Sequence, residues 1–194
     1  MSHPKEYTWD QCYLDEYAKG KRPLHGEKPD GFVVWASKYL KEKGMSGAII
    51  LDAGCGEGRN SIYLAKQGFK IYGIDIALPA IETGKRWVKS EGLTEMVNLR
   101  VGDITKLPYE DNFFDAVIDS YTMEFIPKKE DYVKEVVRVL KSEGLFFILT
   151  SISPAKHSIN PEYLEKMLEK NFKILKINNP SSVSLSIVAK KDSQ

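Results

Sequence analysis

Three glycines at alternate positions, Gly54, Gly56 and Gly58, follow an apolar run that ends in Asp52, within the stretch AIILDAGCGEGRNSIYLAKQG. Glycines at that density let a backbone turn sharply and let another group lie against it. With a strand before the loop and a helix after it, free backbone N–H groups gather at the same place. Three more acids recur at the ends of later strand-like runs: Asp75 in IYGIDI, Asp103 in VGDITKLP and Asp119 in FDAVIDS. A carboxylate after the second strand can accept from both hydroxyls of a ribose. A nucleotide-like ligand is the chemistry that this set of residues serves.

Two ligand classes compete for it. A dinucleotide fingerprint needs G-x-G-x-x-G, its last glycine allowing close helix packing. Here the position three after Gly56 is the bulky Arg59, and the third glycine falls one residue early, at Gly58. Asp52 would stand close to a pyrophosphate, anion against anion. Asp75 alone fits either class. Four acids on one sheet edge, Asp52, Asp75, Asp103 and Asp119, suit a cationic adenosyl ligand better than an anionic one.

The elements that must position these residues alternate along the centre of the chain. Strand-like runs occupy 48–53, 70–76, 97–101, 116–119 and 145–151, with helix-like segments at 60–66, 79–90 and 131–141. Val133, Val136, Val137 and Leu140 follow the spacing of one buried helix face. Gly68, Gly92 and Gly144 stand where helix-ending glycines belong, and Pro79 suits a first helical turn. This alternation predicts a parallel sheet covered on both faces. The tail predicts a helix over 161–170 and two strands, 172–177 and 184–189, joined by a turn at 178–182 as an antiparallel hairpin. A helix is also predicted over 32–43. The head, 1–29, is polar, aromatic and irregular.

The chain has 194 residues, 28% charged and 42% hydrophobic, enough for one domain with a core. A formal net charge of +1 supplies no bulk attraction to nucleic acid or an anionic membrane, and neither is expected as a partner. No apolar run approaches the roughly 20 residues that span a bilayer. Two cysteines, Cys12 and Cys55, make neither a disulfide framework nor a four-ligand zinc site, so a cytoplasmic protein without a metal is expected.

Together these stretches resemble the class I S-adenosylmethionine-dependent methyltransferases, in particular the small methyltransferase domain 11/25 type. LDAGCGEGRNSIYLA resembles the family's first motif, GIDIALPAIETGK its second-strand acid and following helix, GDITKLPYEDNFFDAVIDS its third and fourth strand region, and VVRVLKSEGLFFIL the next helix and strand. The resemblance covers about 48–150. It implies a Rossmann-like α/β fold: a seven-stranded, mostly parallel sheet with an antiparallel C-terminal hairpin and helices on both faces. It implies S-adenosyl-L-methionine as cofactor and S-adenosyl-L-homocysteine as product. Gly54 and Gly56 would contact the amino-acid moiety and Asp52 its ammonium. Asp75 would bind the ribose, Ile76 pack on the adenine, Asp103 accept from the adenine amino group, and Ile104 supply a backbone N–H. Asp119, Ser120 and Tyr121 would line the methionine part. Ala77 departs from the family's usual capping residue and leaves the next helix start less well capped.

Methyl transfer needs a general base only when the nucleophile arrives protonated. Tyr121, Glu124 and Tyr13 are the candidates near the expected methyl. His157 is more readily a surface residue, and Cys55 a small residue of the motif. The amino-methyltransferases of DNA and RNA carry (D/N)-P-P-(Y/F) after the fourth strand, where this chain has DSYT. There is little inserted sequence for a substrate domain, so a small molecule or short protein segment is the expected acceptor; a catalytically silent adenosyl-binding protein is the alternative. The head, with Tyr7, Trp9, Tyr13 and Tyr17, is expected to form a lid and substrate segment over 1–28, with the methyltransferase domain over 29–194. Its W-D-x-x-Y start loosely resembles tellurite-resistance and thiopurine-type methyltransferases.

Overall fold

The computed structural model describes residues 8–21, 23–152 and 158–193; Tyr7 and His157 lie outside them. Seven strands form one sheet: β1 (Ile49–Ala53), β2 (Lys70–Asp75), β3 (Val97–Val101), β4 (Phe114–Ser120), β5 (Leu140–Ser151), β6 (Phe172–Ser181) and β7 (Ser184–Lys191). Their order is β3-β2-β1-β4-β5-β7-β6. β1 to β5 pair in parallel, and β7 runs antiparallel to β5 and β6. The fold class expected from the sequence is the one observed.

The apolar runs are continuous because both faces of the sheet are covered. Helices α2 (Gly31–Glu42), α3 (Arg59–Lys66) and α4 (Leu78–Ser90) bury Leu40, Leu64 and Ile81 against Ile50, Ile118 and Phe147. Helices α5 (Lys129–Val139) and α6 (Pro161–Leu168) bury Tyr132, Val136 and Leu164 against Leu51, Val117 and Phe146. Ile50 and Leu51, Ile118 and Val117, Phe147 and Phe146 thus divide between the faces with the two-residue period of a strand. No helix among the described residues is long and apolar enough to cross a membrane.

Strand order reverses between β1 and β4. After β1 the chain moves outward through β2 and β3, then returns to β4 on β1's other side. The crevice beyond that reversal is where open α/β sheets take ligands, and the glycine loop leaves β1 there.

Three local differences from the sequence expectations have physical causes. Helix α5 stops at Val139, and β5 starts at once. Within β5, Glu143 rather than Gly144 takes the left-handed conformation, at φ 64°. A Cβ on Gly144 would come 2.8 Å from the Lys141 carbonyl oxygen, so this glycine serves close packing and not a helix end. In the hairpin, β6 continues to Ser181 through a register shift after Asn178, leaving a two-residue turn at Ser182–Val183.

The head is the third difference. It contains α1 (Trp9–Ala18), capped by Thr8, whose side chain accepts from the Gln11 N–H at 3.3 Å. Trp9, Tyr13 and Tyr17 recur every four residues and so share one face. Tyr13 and Tyr17 bury that face against Ala77 and Ala80 at the start of α4. Ala77 offers α4 no side-chain cap. The head supplies one: Asp10 accepts from the Leu78 N–H at 3.0 Å, and a carboxylate there also suits the positive end of the helix.

Asp10→Ala is therefore expected to lower stability by about 1 kcal/mol, with Asp10→Asn retaining most of it. Thermal unfolding should drop by about 2–4 °C for the alanine variant; an unchanged midpoint would show that Asp10 does not cap α4.

Candidate functional site

Beyond the carboxyl ends of the parallel strands lies a cavity of about 1040 Å³. Gly54, Gly56, Asp75, Ile76, Asp103 and Ile104, at the ends of β1 to β3 or in the loops after them, border it; so do Ser120, Tyr121, Thr122, Glu124 and Phe125 at the end of β4 and after it, and Trp9 and Tyr13 of α1.

The glycine loop is shaped by close approach. Gly54 and Gly56 have φ of 73° and 53°. A Cβ on Gly54 would fall 2.1 Å from Thr122 Oγ1, and one on Gly56 2.6 Å from the Tyr13 hydroxyl. The β4 loop and the head therefore both press onto bare backbone. Asp75, at the end of β2, braces the loop: its Oδ2 accepts from the Gly56 N–H at 2.8 Å and its Oδ1 from the Ala77 N–H at 2.9 Å. Burial pushes its carboxyl up from the ordinary range, and these backbone donors pull it down. Ile76 beside it is 60% exposed, a large apolar side chain on the cavity border. Asp103 is exposed, and its Oδ1 accepts from the N–H and hydroxyl of Thr105, both at 2.8 Å. Ile104 is buried.

Four acids were expected on this edge, and the cavity receives two. Asp52 and Asp119 stand behind it, almost wholly buried. Asp52 lies inside β1 and accepts from the Ser61 hydroxyl of α3 at 2.6 Å. Burial, opposed by that bond, pushes its carboxyl up to about 6. Asp119 Oδ1 accepts from the backbone N–H groups of Thr122 at 2.9 Å and Met123 at 3.2 Å. Burial pushes this carboxyl up to about 7 despite those bonds. Its work is to fold the loop after β4, where Tyr121 sits at φ 62° and donates its N–H to Leu149 at 2.7 Å. A tyrosine at positive φ is uncommon and strained.

The proposed bases differ sharply in surroundings. Burial, and then the Asp75 and Glu57 carboxylates, push the Tyr13 hydroxyl far above its usual range. The shift favours the protonated hydroxyl. The Tyr121 hydroxyl lies 3.0 Å from Ser184 Oγ. Glu124, in a 3-10 turn at Met123–Phe125, accepts through Oε2 from Thr150 Oγ1 at 3.1 Å and the Ser151 N–H at 2.7 Å. Ser120 brings a different feature: the residue borders the cavity, and its buried hydroxyl has no hydrogen-bond partner among the described residues.

One residue that the sequence reading passed over is Glu57, inside the glycine loop and 5% exposed. Its Oε1 accepts from the Tyr17 hydroxyl at 2.8 Å and its Oε2 from the Leu24 N–H at 2.5 Å. Asn60 accepts from the Asp30 N–H at 2.9 Å, and Arg59 donates to the Lys28 carbonyl at 2.9 Å. The loop and the first turn of α3 thus hold the head at several points. The signal was a carboxylate among glycines with no surface position to occupy, opposite a tyrosine stripe.

A family model described as a methyltransferase domain matches residues 51–148. Norajmaline N-methyltransferase of Rauvolfia serpentina is 33% identical over 126 residues, covering 62% of this chain and 43% of that protein. Demethylmenaquinone methyltransferase of Lactobacillus johnsonii is 32% identical over 124 residues, covering 62% of this chain and 51% of that one. The chain thus spans about half the length of these curated relatives, or less. A TehB-like SAM-dependent methyltransferase from Corynebacterium glutamicum shares the fold, with a TM-score of 0.72 at 22% identity over 93% of this chain and 99% of that chain.

The buried acids make stability depend on pH. A carboxyl with a raised pKa keeps its proton longer in the folded state. Folding stability from Asp119 falls as pH rises from the ordinary 3.8 to about 7 and is level above that. Asp119→Asn removes the ionisation and keeps an oxygen for Thr122 and Met123. Relative to the parent protein, the variant should gain about 2–4 kcal/mol between pH 4.5 and 8. Denaturant titrations across that range check this; a constant difference would mean that Asp119 does not titrate there.

Proposed function

Because the chain belongs to the methyltransferase domain family whose model it matches, we propose that it is an S-adenosylmethionine-dependent methyltransferase acting on a small molecule. The observation that carries the reading is the Asp75 carboxylate, braced against a glycine loop at one end of a cavity that continues to Glu124 at the other. Support for the fit comes from two features: backbone without room for a Cβ at Gly54 and Gly56, and the unpartnered Ser120 hydroxyl at the cavity border.

In this reading Gly54, Gly56 and Ser120 hold the amino-acid end of the cofactor and Asp75 its ribose hydroxyls. Ile76 packs on the adenine, and Asp103 with the Ile104 N–H holds the ring edge. Asp52 and Asp119 act from behind, by fixing α3 and the β4 loop. When bound, the cofactor supplies a methyl group on a cationic sulfur, ready for in-line displacement. The protein's own part is alignment and exclusion of water. Tyr13 lies over Gly56 at the glycine loop. Glu124 is the group able to hold a proton released by the acceptor. The head, through residue 28, serves as a lid fastened by Glu57, over a domain that starts near residue 29. Norajmaline and demethylmenaquinone, the substances named for two relatives, favour a small-molecule acceptor over a protein segment. A cavity that continues to Glu124, past the residues assigned to the cofactor, favours an enzyme over a silent binder.

Calorimetry tests the reading. S-adenosylmethionine and S-adenosylhomocysteine should bind, and NAD should not. Asp75→Ala should weaken binding about tenfold to several hundredfold, since each hydrogen bond to a charged group contributes roughly 1.5–3 kcal/mol. In the same samples, hydrogen-exchange protection of α1 should rise with S-adenosylhomocysteine. NAD binding without response to the adenosyl ligands would overturn the function; unchanged protection at saturation would overturn the lid.

A further inference from the structure

The end of the cavity away from Asp75 has a chemistry of its own. Glu124 is partly buried there, and Trp9, Tyr121 and Phe125 border the same space. Trp9 and Phe125 meet edge to face with centroids 5.0 Å apart. Trp9 and Tyr121 keep 38% and 36% of their surface exposed, so ring area is left for a guest. Neutral donors on β5, the Thr150 hydroxyl and the Ser151 N–H, hold Glu124 through Oε2 alone. Among the described residues Oε1 has no hydrogen bond, and no cation pairs with this carboxylate. The Asp119 carboxyl behind it is near enough for the two charges to repel.

Cations also border the cavity, under different conditions. Lys134 pairs with Asp131 at 3.2 Å. Lys106 and Lys128 are exposed, where water and salt screen them. The fixed, partly desolvated charge among the rings is negative. Arg59, a partly buried cation of the cavity border, donates to the Lys28 carbonyl at 2.9 Å and lies 3.9 Å from Asp30, so an anionic acceptor at Glu124 would meet that carboxylate with no cation paired to it in exchange for its lost hydration. A cation with an apolar body would meet both a carboxylate and ring faces, the two groups that stabilise a desolvated ammonium.

We propose that the acceptor is an amine carrying an apolar body, bound as its ammonium between Glu124 and the rings of Trp9, Tyr121 and Phe125. This rests on the methyltransferase reading and adds the substrate class. Glu124 then has a definite catalytic part. It takes one N–H proton of a primary, secondary or tertiary ammonium, forming O–H as N–H breaks, and the N–H electron pair stays on nitrogen as the nucleophile's lone pair.

The test uses the full chain saturated with S-adenosylhomocysteine and three probes of one shape: benzyltrimethylammonium, benzyl alcohol and phenylmethanesulfonate. Saturation-transfer NMR with competition gives their affinities. The ammonium should bind at least about tenfold more tightly than the alcohol, and the sulfonate not measurably. Glu124→Gln keeps an oxygen for Thr150 and Ser151 and removes the charge. It should weaken ammonium binding by about tenfold or more and leave S-adenosylhomocysteine affinity unchanged. Sulfonate or alcohol binding equal to the ammonium, ammonium binding indifferent to Glu124→Gln, or no binding of any probe would each overturn the amine assignment while leaving the cofactor site standing. Failure of the parent protein to bind S-adenosylhomocysteine would take down the methyltransferase reading, and the assignment with it.

Discussion

Asp75 ties together the pieces of the molecule that no single element could hold. Its two oxygens reach the backbone of two neighbouring connections, at Gly56 in the loop after β1 and at Ala77 before α4. A carboxylate at the end of a parallel strand costs desolvation, and here two charge-assisted bonds offset part of it. With the loop held, Tyr13 can lie on Gly56 and Thr122 on Gly54. With the start of α4 held, Ala77 and Ala80 form the floor for the tyrosines of α1. The glycine loop and the start of α4 are thus tied through one side chain.

The acids divide their work by depth. Those inside the strands, Asp52 and Asp119, face Ser61 and the backbone of the β4 loop, and each shapes an element that borders the cavity. Those at or past the strand ends, Asp75 and Asp103, border the cavity themselves. Glu57, also on the cavity border, holds the head. Residue type alone does not separate these roles. Position within the strand does, because an acid among fully buried neighbours must find its partners inside the protein.

The parallel sheet was legible because unbroken apolar strands alternate with helical spacing, a pattern with few other solutions. The glycine loop and Asp75 were legible because glycine needs a reason and strand ends meet at one edge. Asp52 and Asp119 were misplaced because strand ends were judged without asking which way each side chain turns. The head hid a helix: Trp9, Tyr13 and Tyr17 share a face, but their polar neighbours masked it. Its partners are Ala77, Ala80 and Glu57, all distant in sequence. Helix α5 and β5 abut with no connector, and local propensity carries no sign of that.

The account stands on the cofactor lying along the glycine loop with its ribose at Asp75. A crystal structure of the protein with S-adenosylhomocysteine measures this directly. The account predicts both ribose hydroxyls within hydrogen-bond distance of the Asp75 carboxylate, the amino-acid end over Gly54 and Gly56, and the adenine between Ile76 and Ile104. A ligand lodged elsewhere, or one at the loop with its ribose away from Asp75, would contradict it.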